Sequence, residues 1–100
     1  VLYFFHPAAK FERFEAAAYY KQQRQELGDS YFVEFQKIME RILEFPDRYK
    51  IALEPDIRKL AFDRFPYHVI YRVIDKKIQV LAVAHQSRRP NYWHNRLETA

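Results

Sequence analysis

The sequence predicts an α+β domain: an N-terminal strand and an antiparallel helical hairpin packed on a mainly antiparallel β-sheet, in the order β-α-α-β-β-β with a short C-terminal tail. Three observations predict it. The first half is rich in Ala, Glu, Gln and Lys and carries an apolar stripe of helical period. The second half turns to runs of β-branched and aromatic residues. The most hydrophobic of these, "IQVLAVA" (Ile78 to Ala84), reads as a central strand covered on both faces.

"VLYFF" (Val1 to Phe5) is a short apolar run suited to a buried strand. Pro7 suits the first helical turn, where a missing N–H costs nothing. "AAKFERFEAAAYYKQQRQEL" (Ala8 to Leu27) is then the first helix, with Gly28 at its C-cap and Asp29 or Ser30 capping the next. "LGDS" becomes the turn of the hairpin. In the second helix Phe32, Phe35, Met39 and Ile42 form a stripe, widened by Ile38 and Phe45. Glu34, Lys37, Glu40, Arg41 and Glu44 face away, and Pro46 stops the helix. A Met-and-Phe stripe of this kind reads as core. Strands follow at "IRKLAF" (Ile57 to Phe62), "YHVIYRVI" (Tyr67 to Ile74) and "KIQVLAVA" (Lys77 to Ala84). "DKK" (Asp75 to Lys77) is short enough for a hairpin turn, although it lacks the usual Asn-Gly.

One hundred residues suit one domain with one core, expected over 1–100. A hydrophobic content of 49% with a single glycine argues for a globular fold against disorder. There is no cysteine, so disulfides and Cys-based metal sites are excluded and a reducing cytosol is compatible. No apolar stretch approaches the roughly 18 residues of a membrane span, and no signal peptide is expected. The net charge of +4 is uneven. Residues 1–50 carry eight basic and eight acidic side chains, whereas residues 51–100 carry nine and five. That asymmetry points to an anionic partner, nucleic acid or an acidic protein segment; the bland reading is a solvated basic face.

Alternation puts Arg58, Leu60, Phe62 and Arg64 on one side of their strand, and His68, Ile70, Arg72 and Ile74 on one side of the next. Where register brings those sides together, the sheet shows a face dotted with Arg58, Arg64, His68 and Arg72. His85, Arg88 and Arg89 emerge from the end of the central strand in "HQSRRPNYW" (His85 to Trp93). Arginine forks grip phosphate or carboxylate, and Tyr92 and Trp93 offer stacking surfaces or simply close the core edge. His68, His85 and His94 are the proton carriers near neutral pH, or ordinary surface histidines. Metal ligation is not expected from this histidine spacing, and neither a nucleophilic serine setting nor a glycine-rich phosphate loop is present. The surface suits RNA, DNA or an acidic peptide, and metal-free phosphodiester cleavage is conceivable.

"IRKLAFDRFPYHVIYRVIDKKIQVLAVAHQSRRPNYWHNR" resembles the C-terminal half of RelE/ParE-superfamily toxins of bacterial type II toxin–antitoxin modules, the plasmid-stabilisation type. The likeness lies in the arginine-bearing strand, "FPY" leading into "VIYRVID", the strand "IQVLAVAH", and the arginines with "P-x-YW" beyond it. "EAAAYY", "LG" before "YFVEF", and "FPDRY" agree more loosely. The resemblance implies a cytoplasmic, growth-inhibiting protein without a cofactor, silenced by a cognate antitoxin in a hetero-oligomer.

Two mechanisms come with it. RelE-like members cleave messenger RNA on the ribosome without a metal; ParE-like members inhibit DNA gyrase. For the cleaving branch Lys59 matches one strand lysine, while Ala61 occupies the place of another. His68 stands where that branch has an arginine, Arg88 matches the later arginine approximately, and the late tyrosine falls at Tyr92 or Trp93. A cleaving chain would therefore use Lys59, His68, Arg88 and Tyr92. "FPY" and "H-x-x-R-R-P" look more like the ParE branch. A gyrase inhibitor would use Arg88, Arg89 and Trp93 as binding anchors, with His85 on the same edge, while Arg58, Arg64 or Arg72 would meet carboxylates of the antitoxin. A non-toxic nucleic-acid-binding module is the alternative outside the family.

Overall fold

The computed structural model describes residues 2–98. Its elements are β1 (Tyr3–Phe5), α1 (Pro7–Gln23), α2 (Gln25–Glu44), β2 (Lys50–Leu53), β3 (Ile57–Ala61), β4 (Tyr67–Ile74), β5 (Lys77–His85) and a 3₁₀ helix at His94–Glu98. Val1, where the first strand was expected to start, lies outside the described residues, as do the last two residues of the tail. The architecture is the predicted α+β one, with one strand more. β2 escapes a sequence reading because "KIAL" is only four residues long and precedes a proline.

The five strands form one sheet in the order β1-β5-β4-β3-β2. β1 runs parallel to β5, and the other neighbours are antiparallel. β5 is therefore interior, as its continuous apolar run predicts. The helical hairpin covers one face, where Val69, Tyr71, Val80 and Val83 meet Phe35, Ile38, Met39 and Ile42. On the other face Ile57, Ile70, Leu81, Ala82 and Ala84 pack with Trp93. The β4–β5 turn is tight because Asp75 and Lys76 both take positive φ, 53° and 64°. That is the backbone of a two-residue hairpin turn of the type Asn-Gly usually fills.

The helix boundaries differ from expectation. α1 opens with Pro7, and the His6 Nδ1 accepts the Ala8 N–H at 3.1 Å, as an N-cap side chain does. The chain then breaks at Arg24, extended at φ −158° and ψ 136°, and re-enters a helix at once. Gly28 is thus neither a C-cap nor in a turn; it lies inside α2 and is buried. A Cβ placed there would sit 2.9 Å from the Lys21 Cβ and 3.3 Å from the Ala17 carbonyl oxygen. The glycine serves the close crossing of the two helices.

Two side chains of α2 are also corrected. Phe45 does not extend the apolar stripe: it is 46% exposed, because it is the non-helical C-cap and points away from the helix's periodic face. Glu34 does not face solvent and is only 8% exposed. Its carboxylate accepts the backbone N–H groups of Asp63 and Arg64, tying α2 to the β3–β4 loop. Tyr31 completes that junction, with its ring 4.9 Å from Phe62, 5.2 Å from Phe65 and 5.5 Å from Tyr67.

Candidate functional site

Register decides which charged residues share a face. Arg58 lies opposite Tyr71, Lys59 opposite Ile70, and Ala61 opposite His68. The side of β3 that carries Arg58 therefore coincides with the helix-covered side of β4, and His68 shares its face with Lys59. The expected face of Arg58, Arg64, His68 and Arg72 does not form. Arg58 donates to the Tyr49 carbonyl at 2.8 Å, and Arg64 lies in the β3–β4 loop, 3.6 Å from Glu34. Arg72 shares the open face with His68 but sits further along β4, its Nε donating to Gln79 Oε1 at 2.8 Å.

A cleft of about 230 Å³ opens instead between the open face and the segment after β5. Lys59, His68, Ile70 and Ala84 form the sheet side, and His85, Gln86 and residues 88–93 form the rim. Of the residues singled out in the sequence, Lys59, His68, His85, Arg88, Arg89, Tyr92 and Trp93 all line it. Arg58, Arg64 and Arg72 do not.

The rim is built by successive turns. The Gln86 N–H donates to the Pro66 carbonyl at 2.8 Å, and the Arg88 N–H to the His85 carbonyl at 3.0 Å. The Ser87 N–H donates to His85 Nδ1 at 2.9 Å, so the proton of the neutral His85 ring belongs on Nε2. Asn91 takes a positive φ of 59°, which asparagine tolerates well, and turns the chain back toward the sheet. Trp93, 2% exposed, anchors this return in the second core cluster. Trp93 thus closes the core edge, and the rim arginines are the exposed part.

The electrostatics are those of a basic cleft in which the His68 imidazole is uncharged at neutral pH. Burial, helped by the nearby Lys59 charge, holds the His68 imidazole below its ordinary value. Burial and the hydrogen bond to Glu12 push the Tyr92 phenol well above its ordinary value, so it stays protonated and donates. The Arg88 guanidinium lies 3.9 Å from the centroid of the Tyr92 ring, a cation–π stack that leaves its N–H edges available.

Sequence reasoning missed the residue on which this rim rests. Glu12, read as one polar residue of a helix, accepts the Tyr92 hydroxyl at 2.7 Å and both arms of Arg96 at 2.9 Å. Both side chains of that pair are nearly buried, 12% and 11% exposed. Burial opposes the Arg96 charge, but the bonds to Glu12 outweigh it and its pKa is raised. No local pattern links positions so far apart in the chain. The one available signal was an arginine at the end of a segment that had to fold back. Among the described residues, no group of three or more His, Asp or Glu side chains comes together as metal ligands would, and no helix is long and apolar enough to cross a membrane.

Comparison with known proteins places this fold. The family described as ParE toxin of type II toxin–antitoxin system, parDE, matches residues 3–90. A solved chain titled "Chromosomal ParDE TA system from P. aeruginosa" is similar at 17% identity with a TM-score of 0.71, over 83% of this chain and 92% of that one. At that identity the likeness is one of fold. No curated protein sequence matches significantly. The class is thus a toxin of the RelE/ParE superfamily, as the sequence resemblance implied. Within it, the chain belongs to the ParE toxin family of type II toxin–antitoxin systems, whose toxins are paired with a cognate antitoxin.

Proposed function

We propose that this protein is a cytoplasmic growth inhibitor that binds DNA gyrase through the rim of the cleft, and that its antitoxin silences it in a hetero-oligomer. The observation that carries this reading is the state of the rim. Arg88 and Arg89 are exposed cations held on a turn anchored by Trp93, beside a histidine whose charged form is disfavoured and a phenol that keeps its proton. Such a surface grips an anionic or carboxylate-bearing partner through its arginine forks. Arg88, Arg89 and His85 are its binding groups, with Tyr92 and Trp93 supporting them. Arg64, 66% exposed in the β3–β4 loop, is the best placed of the remaining arginines to meet an acidic antitoxin segment, with Arg58 and Arg72 already engaged internally.

A second reading has one observation in its favour. Lys59, His68, Arg88 and Tyr92, the set a ribosome-dependent, metal-independent messenger-RNA nuclease would use, converge on the same cleft. Neutral His68 would then be the base, and Lys59 and Arg88 would stabilise the charge of the transition state. Tyr92, committed to Glu12, would serve only as a stacking surface.

Induction of the chain alone in bacteria tests the shared premise. Growth arrest relieved by co-expression of the adjacent antitoxin gene is the expected result. Normal growth with confirmed folded protein contradicts it.

A further inference from the structure

We infer that Glu12, outside the cleft and on α1, is a positioning residue that sets Arg88 through Tyr92. β1 stops pairing at Phe5 with Val80, yet β5 continues to His85. Beyond that point the edge of β5 presents backbone groups with no strand beside them. The Leu81 carbonyl is met by Arg96 Nη1 at 2.9 Å, and the Val83 N–H donates to Glu12 Oε1 at 3.0 Å. The Glu12–Arg96 pair thus supplies one acceptor and one donor where a continued strand would have supplied them. Being seated on rigid backbone fixes the carboxylate. Its second oxygen then accepts the Tyr92 hydroxyl at 2.7 Å, and the Tyr92 ring carries Arg88 at 3.9 Å. Arg96 lies against the same ring at 5.2 Å, closing the assembly. A side chain on the first helix therefore determines where the exposed guanidinium of the rim stands. Tyr92 and Arg96 both follow the stretch matched to the family, residues 3–90.

The inference deepens the reading of Arg88 as an effector group, and rests on that reading only in its functional arm. The structural arm is nuclear magnetic resonance of the Arg88 side chain, whose protons the Tyr92 ring current shifts upfield. Tyr92→Phe deletes one oxygen, keeps the ring and should fold normally; Glu12→Ala removes the carboxylate itself. Loss of most of the upfield shift in both variants is expected, and an unchanged shift in folded Tyr92→Phe overturns the inference. The functional arm is inhibition of gyrase supercoiling. Glu12→Ala should weaken it about tenfold, as losing an interface anchor does, and should add nothing when Arg88→Ala is already present. Additive losses overturn the inference. A wild-type protein that leaves gyrase untouched refutes the choice of target, and the resonance measurement still decides the role of Glu12.

Discussion

Glu34 of α2 accepts the backbone N–H of Arg64 at 3.1 Å, and it also holds the N–H of Asp63. One nearly buried carboxylate thus replaces the strand partners that the β3–β4 loop lacks. Glu34→Ala leaves those donors unpaired, which typically costs about 1–3 kcal/mol. Glu34→Gln retains one acceptor and should lose clearly less. Urea unfolding of both variants checks this, and equal stabilities of wild type and alanine variant would reduce Glu34 to a spectator.

Gly28→Ala should destabilise the protein even though alanine is the better helix former by about 1 kcal/mol. The new Cβ would meet the Lys21 Cβ at 2.9 Å, against a backbone-proximal atom that cannot swing away. Overpacking of this kind costs about 1–3 kcal/mol. A raised melting temperature in Gly28→Ala would show that the helices part easily at this crossing.

These two residues also mark where the sequence stopped being legible. The strands, the inner place of β5 and the antiparallel hairpin follow from period and composition, because each is written in residues a few positions apart. Gly28 was misassigned because a glycine between two helical patterns looks the same as a C-cap or as a crossing; only the interhelical distance separates them. Glu34 was misassigned because helical period counts hydrophobicity, and a buried carboxylate facing two backbone N–H groups leaves no mark in it. The candidate site was half legible. "HQSRRPNYW" was found from its chemistry, but a face containing Arg58 and His68 together required a register that the pairing of Arg58 with Tyr71 excludes. Glu12 needed the fold-back of the C-terminal segment.

Stability should fall as the solution is acidified. His68 has a folded pKa below its ordinary 6.5, for reasons of burial and the Lys59 charge. The unfolded chain thus binds the proton more readily than the native one. The contribution of a neutral His68 is complete above pH 6.5 and is lost as pH falls through the lower folded value. His6 is displaced in the same direction, by burial and then by Arg96. His68→Gln should flatten the dependence of unfolding free energy on pH below 6.5 without abolishing it. An identical profile in that variant would assign the whole effect elsewhere.

Arg64→Ala should weaken the antitoxin complex at least about tenfold if the exposed guanidinium meets a carboxylate that becomes desolvated there. Arg58→Ala and Arg72→Ala, whose side chains are held by the Tyr49 carbonyl and by Gln79, should cost stability before they cost affinity. Isothermal titration of folded variants separates the two. Unchanged affinity in Arg64→Ala would place the antitoxin on another surface.

Arg88→Ala should reduce growth inhibition while leaving the fold intact, because the exposed guanidinium stacks on Tyr92 outside the core. Arg88→Lys should rescue little, since an ammonium neither stacks nor forks as a guanidinium does. Full toxicity in the lysine variant would mean that a point charge suffices.

The most direct test of the central claim incubates the purified protein with gyrase and relaxed plasmid, and in parallel with ribosomes programmed with a defined message. Blocked supercoiling, an intact message, and loss of the block in Arg88→Ala are expected. A cleaved message with supercoiling unaffected would contradict the gyrase reading and assign the cleft of Lys59, His68 and Arg88 to phosphodiester cleavage.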